Sequence, residues 1–172
     1  MKHHIDELMR QNDASALWIS GAANHNPSMV YLTGGVHLTM GDLFYKPGQT
    51  PVLCHGGMER DEAAKTGYQL INYSQYDYRK YLEAAGQDRL EAQAQRYADI
   101  LRAAGVTDSK VLLYGMREFG PFFSLVRRLQ ELLPGITFSG DLQDAILLEA
   151  RATKGRRRAN SSSGLSFGLP RG

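Results

Sequence analysis

A chain of 172 residues, 42% apolar and 22% charged, has room for one soluble domain with a full core but not for two large ones. Its net charge of +2 comes from the end of the chain: residues 155–172 hold four of the 20 Lys and Arg and none of the 18 Asp and Glu, so residues 1–154 carry 16 bases against 18 acids. An acidic domain without a clustered basic face argues against a nucleic-acid partner, and no segment approaches the roughly 18 apolar residues of a membrane span.

In chain order, Ile5, Leu8 and Met9 predict a short amphipathic N-terminal helix without the apolar stretch of a secretion signal. ALWIS (16–20) is a continuous apolar run of strand length, predicted to be buried on both faces. GAANHNPS follows as a loop. MVYLTGG then leads through its glycines into VHLTMGDLFYK, predicted as a hairpin or bent strand pair. PVLCH (51–55) is a strand after the KPGQTP turn, MERDEAAKTG a helix closed at Gly67, and QLINY (69–73) another strand. Leu90, Ala94, Tyr97 and Leu101 mark one face of a helix ending at AAGV. KVLLYG (110–115) is a strand, Phe122, Val126, Leu129 and Leu133 stripe the next helix, ITFSG is a short strand, and DLQDAILLEARATK is a last helical pattern. Alternating strands and helices give an α/β class.

The residues offer little chemistry by themselves. Cys54, the single cysteine, excludes an internal disulfide framework and predicts a reducing compartment, with the cytoplasm as the default. It sits in an apolar strand, where a cysteine behaves as a small hydrophobe, and its neighbour His55 points to the opposite face. His25, His37 and His55, with Glu59 and Asp61 nearby, have no ligand spacing such as HExxH or CxxC, so no metal site is predicted. His3 and His4 are expected to face solvent. LTGGVH and CHGGMERDE are glycine clusters without a phosphate-loop pattern, and Glu59, Asp61 and Glu62 occupy the helix start that an anion would need. Tyr73, Tyr76, Tyr78 and Tyr81 read as a half-buried wall at a domain or subunit contact. No catalytic residue is assigned.

Three stretches together resemble the N-terminal domain of the creatinase/prolidase/aminopeptidase P family. IDELMRQNDASALWISGAANHNPSMVYLTGG is similar to its opening of helix, strand, Asn-containing loop and YLTG. TPVLCHGGMERDEAA resembles its later strand and helix with ERDEA-like residues. DAILLEARATK resembles the closing R-x-x-K segment. The resemblance covers residues 4–154 and implies one three-layer α/β domain with a mixed central sheet flanked by helices and a ribonuclease H-like motif. In that family a C-terminal pita-bread domain binds two divalent ions (Mn, Co or Zn) through two Asp, one His and two Glu, none of which maps onto this sequence. The resemblance therefore implies a non-catalytic domain of an Xaa-Pro peptidase, without a cofactor of its own and inactive alone. Its expected partners are its own catalytic domain and other copies of the chain. The loop after YLTG implies substrate contacts at Gly35, Val36 and His37, with His37 meeting a substrate carboxylate. The alternative is a stand-alone interaction domain of the same fold.

The boundary expected from this reading is 1–154 for the domain and 155–172 for a disordered basic, Ser- and Gly-rich tail. Family members continue ATK with acidic runs. Asp and Glu codons begin GA, and read one base out of phase such a run gives Gly and Arg, so GRRR is expected from a shifted reading frame near Lys154, with vector-like residues after it. A tail that binds nucleic acid or a membrane surface is the competing expectation, and three arginines make few phosphate contacts.

Overall fold

The computed structural model describes residues 2–141 and 145–162, with side-chain surroundings over 4–141 and 145–153. The apolar run Ala16–Gly21 (β1) is buried at every position and lies inside a six-stranded sheet, as a run without alternation requires. On one side it pairs antiparallel with Gly41–Tyr45 (β2), setting Trp18 opposite Phe44 and Ser20 opposite Asp42. Val52–His55 (β3) returns antiparallel to β2 across the Lys46–Pro51 turn, and Gln69–Asn72 (β4) runs parallel to β3. On the other side of β1, Lys110–Met116 (β5) and Thr137–Gly140 (β6) follow in parallel. The order β4-β3-β2-β1-β5-β6 makes the sheet mixed, with the chain moving left after β1 and right after β5.

Helices cover both faces. Lys2–Gln11 (α1), Pro27–Thr33 (α2), Arg60–Ala64 (α3) and Ala145–Ser162 (α7) close one face around Ile5, Met9, Leu17, Met29, Leu43 and Ile146. Tyr78–Ala84 (α4), Arg89–Ala103 (α5) and Phe119–Leu132 (α6) close the other, where Trp18, Phe44, Tyr97, Ile100 and Leu129 pack. The three-layer α/β arrangement agrees with the fold expected from the sequence. No helix among the described residues is long and apolar enough to cross a membrane.

Two local readings need correction. Residues 27–33 lie in a helix, not in a strand pair. Asn26 Oδ1 accepts from Met29 N at 3.2 Å, Pro27 opens the first turn, and Gly34 at φ +79° closes the helix through its N–H to Val30 O. An Asn cap followed by Pro outweighs the strand preference of Val and Tyr. The antiparallel hairpin is β2 with β3. His4, expected in solvent, is half-buried, with Nε2 3.3 Å from Thr153 Oγ1 where α1 meets α7; the side chain of His3 is outside the described set. At the other boundary, the backbone of α7 stays helical across Lys154 to Ser162, which its Arg and Ala residues favour. The disorder expected of 163–172 falls outside the described residues.

The carboxyl ends of β1 and β5 approach each other unusually closely. Gly21 and Gly115 sit at φ +125° and +113°, a region that L side chains rarely enter. A Cβ on Gly115 would meet the backbone of Ser20, and one on Gly21 would meet the backbone of Met116. Both positions require glycine for conformation and for space.

Candidate functional site

Gly34 and Gly35, at φ +79° and +92°, turn the chain out of α2 into the loop 35–40. Val36 and Leu38 anchor that loop in the aliphatic core, while His37 between them stands exposed. Ala23 N donates to Leu38 O at 2.9 Å. From the other side, the segment before and within α3 supplies two carboxylates. His37 N donates to Glu62 Oε2 at 3.4 Å, and Thr39 N donates to Glu59 Oε1. Glu59 Oε2 also accepts from Gly56 N at 3.3 Å. The Lys65 hydrogen bond, followed by that from the His37 backbone, holds the Glu62 carboxyl below its ordinary range. The loop is thereby fixed at both shoulders and presents one imidazole outward. Of the three residues singled out in the sequence, His37 and Gly35 face solvent and the side chain of Val36 is turned into the core.

The remaining histidines do not join it. His25 is exposed in the β1–α2 loop at φ +61°, and His55 is buried with Nδ1 2.7 Å from Gly56 O. Among the described residues no three His, Cys, Asp or Glu side chains converge as metal ligands, so a pair of divalent ions has no fitting donor set in them. Cys54 is buried, and burial first and Asp42 second push its thiol well above the ordinary value.

The polar centre of the domain is one the sequence did not announce. Asp42 on β2 is 0% exposed. Its Oδ1 accepts from Trp18 Nε1 at 2.7 Å and from Ser20 Oγ, and its Oδ2 accepts from Tyr97 OH at 2.9 Å and from Tyr73 OH. Four donors, two from β1, one from the turn after β4 and one from α5, satisfy both oxygens, as a buried carboxyl requires. Burial first and Asp42 second raise the phenols of Tyr73 and Tyr97 well above their usual range. Arg96 on α5 lies 5.4 Å over the Tyr73 ring and donates from Nε to Tyr76 O at 2.7 Å and from Nη2 to Tyr73 O at 3.2 Å. The Tyr81 hydroxyl goes to Asp99 Oδ2 at 2.8 Å, and burial followed by that hydrogen bond pushes its phenol up to about 12. Tyr73 and Tyr81, read from the sequence as part of a contact wall, thus spend their hydroxyls within the domain.

Exposed apolar side chains gather instead at the carboxyl end of the sheet. Met40, Met58, Met116, Phe119 and Phe123 are exposed there, Phe119 by 81%, with the Phe119 and Phe123 rings stacked at 5.6 Å and 15°. Single exposed apolar side chains are ordinary, and a group of them at one edge is less common.

No family model and no curated protein matches the sequence. Among solved structures, the chain is similar to the N-terminal domain of Xaa-Pro dipeptidase from Lactobacillus brevis, at TM-score 0.53 and 19% identity over 84% of this chain and 96% of that one. It is also similar to an aminopeptidase P (Xaa-Pro aminopeptidase) structure from Streptococcus thermophilus, at TM-score 0.54 and 15% identity over 87% and 94%. The prolidase from Pyrococcus horikoshii OT3 matches at TM-score 0.51 and 15% identity over 84% of this chain, which spans only 33% of that one. The chain has the fold of the N-terminal domains of prolidase- and aminopeptidase P-like proteins.

Proposed function

We propose that the chain serves as the non-catalytic N-terminal domain of a cytoplasmic Xaa-Pro metallopeptidase. In this reading it packs against a catalytic domain that holds two divalent ions, supplies contacts between copies, and lends the Gly35–His37 loop to substrate. The observation that carries it is the match of this fold to 96% of an isolated Xaa-Pro dipeptidase N-terminal domain. The exposed edge from Met116 to Phe123 supports a packing role, and the fixed loop with an outward His37 supports a contact to a substrate carboxylate. Activation of water by metal would belong entirely to the other domain.

Xaa-Pro dipeptides incubated with the purified chain and Mn, Co or Zn are expected to remain intact; turnover would overturn the assignment. Sedimentation equilibrium is expected to show self-association that Phe119→Ser with Phe123→Ser abolishes. A monomer at all concentrations would remove the role in contacts between copies.

A further inference from the structure

The same end of the sheet carries a cleft in two lobes, of about 650 and 760 Å³, joined where both are lined by Met40 and Arg117. It opens where the chain leaves β1 toward one side of the sheet and β5 toward the other, the place where open α/β sheets hold ligands. Its walls include Tyr73, Tyr97, Met58 and Phe122.

Its charge is equally specific. Arg96 and Arg117 both line the first lobe. Each guanidinium lies over an aromatic ring, Arg96 over Tyr73 and Arg117 5.6 Å over Phe122. Among the described residues neither is within ion-pair distance of a carboxylate. Arg117 Nη1 has only the Met40 sulfur at 3.1 Å, a weak acceptor, and Nη1 of Arg96 makes no hydrogen bond within that set. The cleft has two acids. Glu59 is already engaged by two backbone N–H groups, and Glu118 stands exposed on the second lobe. Two arginines without an ion-pair partner among the described residues, set in a methionine- and aromatic-lined cleft, leave the Arg117 guanidinium and Nη1 of Arg96 as donors beside apolar walls.

We infer that this cleft binds a small carboxylate carried on an apolar or aromatic body, with the carboxylate on Arg117 and Arg96 and the body against Met40, Tyr97 and Phe122. A stacked guanidinium meets a carboxylate through two parallel hydrogen bonds, and apolar walls with a few placed donors are the usual makeup of a small-molecule site. Asp42 acts at one remove, since it holds Tyr73, on whose ring Arg96 rests. The inference stands independently of the peptidase reading.

The probe is 8-anilinonaphthalene-1-sulfonate, an anion on an aromatic body, titrated into the full chain and followed by fluorescence. Arg117→Gln is expected to weaken binding at least tenfold with an unchanged melting temperature, and hippurate to displace the dye where inorganic phosphate does not. Unchanged affinity in Arg117→Gln overturns the site, as does displacement by phosphate and not by hippurate. Should Arg117→Gln fail to fold, Arg96→Gln is read against the same criterion. Loss of binding in Phe119→Ser, with Arg117→Gln unaffected, would place the dye on the exposed phenylalanines and also overturn the inference.

Discussion

Asp42 and Leu43 are consecutive on β2, both fully buried, and they point to opposite faces of the sheet. Leu43 enters a core of aliphatic side chains from α1, α2 and α7, in which tyrosines reach outward to the rim: Tyr45 OH to Asp6 at 2.8 Å, Tyr31 OH to Ala150 O at 3.1 Å. Asp42 enters an aromatic core, where Trp18 touches Phe44, Tyr97, Phe122 and Phe138 at ring separations of 5.4 to 6.1 Å and the hydroxyls turn inward. The aliphatic face is held by area, which tolerates change in small steps. The aromatic face is held by a set of hydrogen bonds that is complete or broken. The polar face is also the one that opens into a cleft, because its tyrosines and Arg96 form the floor.

The sharpest test of that contrast is Asp42→Ala, which strips the acceptor from four buried donors and is expected to cost about 4 kcal/mol in denaturant unfolding. Trp18 is the only tryptophan, so its emission should shift with Asp42→Ala as its N–H loses its partner. Leu43→Ala should cost about 3 kcal/mol through the cavity it leaves, without moving that emission; a comparable shift in both variants would erase the distinction between the faces. Gly115→Ala should cost about 2 kcal/mol from backbone strain and crowding where the faces share a rim. Tyr97→Phe and Tyr45→Phe compare an inward with an outward hydroxyl. Each should cost about 1 kcal/mol, and only the first should alter Trp18 fluorescence.

The smallest effect is in pH. A phenol whose folded value lies above its unfolded 10.0 stabilises fully below pH 10 and loses that contribution as pH rises through the folded value. For Tyr81 the window runs from pH 10 to about 12, and Tyr73 and Tyr97 add to the loss from the same lower bound. Phenolate absorbance should therefore rise late and together with unfolding. Early ionisation of all nine tyrosines in a folded protein would contradict the inward bonding.

The pattern of apolar residues made most of the frame legible. ALWIS and KVLLYG announce the two central strands because both faces of the sheet are covered there, and the stripe from Leu90 to Leu101 announces α5. α2 was obscured by Val30 and Tyr31, although Asn26-Pro27 held the signal. Asp42 was illegible for a different reason. An Asp in TMGDLFY reads as turn chemistry, and its donors lie 22 to 55 residues away, where no local pattern can register them. Arg96 and Arg117 are ordinary cations on a helix and after a strand, and become a pair only once α5 and the carboxyl end of β5 line one cleft. His37 was singled out by the resemblance alone, as part of the loop after YLTG, and nothing local in the sequence shows the Glu62 and Glu59 carboxylates that hold the backbone of His37 and Thr39.

The pairing of α1 with α7 has a consequence in time as well as in space. The first helix leans on the last, so one side of the sheet stays open while everything between them is made. On a ribosome adding roughly 5–20 residues per second, the roughly 130 intervening residues take on the order of ten seconds. The side with α4, α5 and α6 is assembled from segments already emerged, so the aromatic half can close first and serve as the template on which the aliphatic half is finally shut.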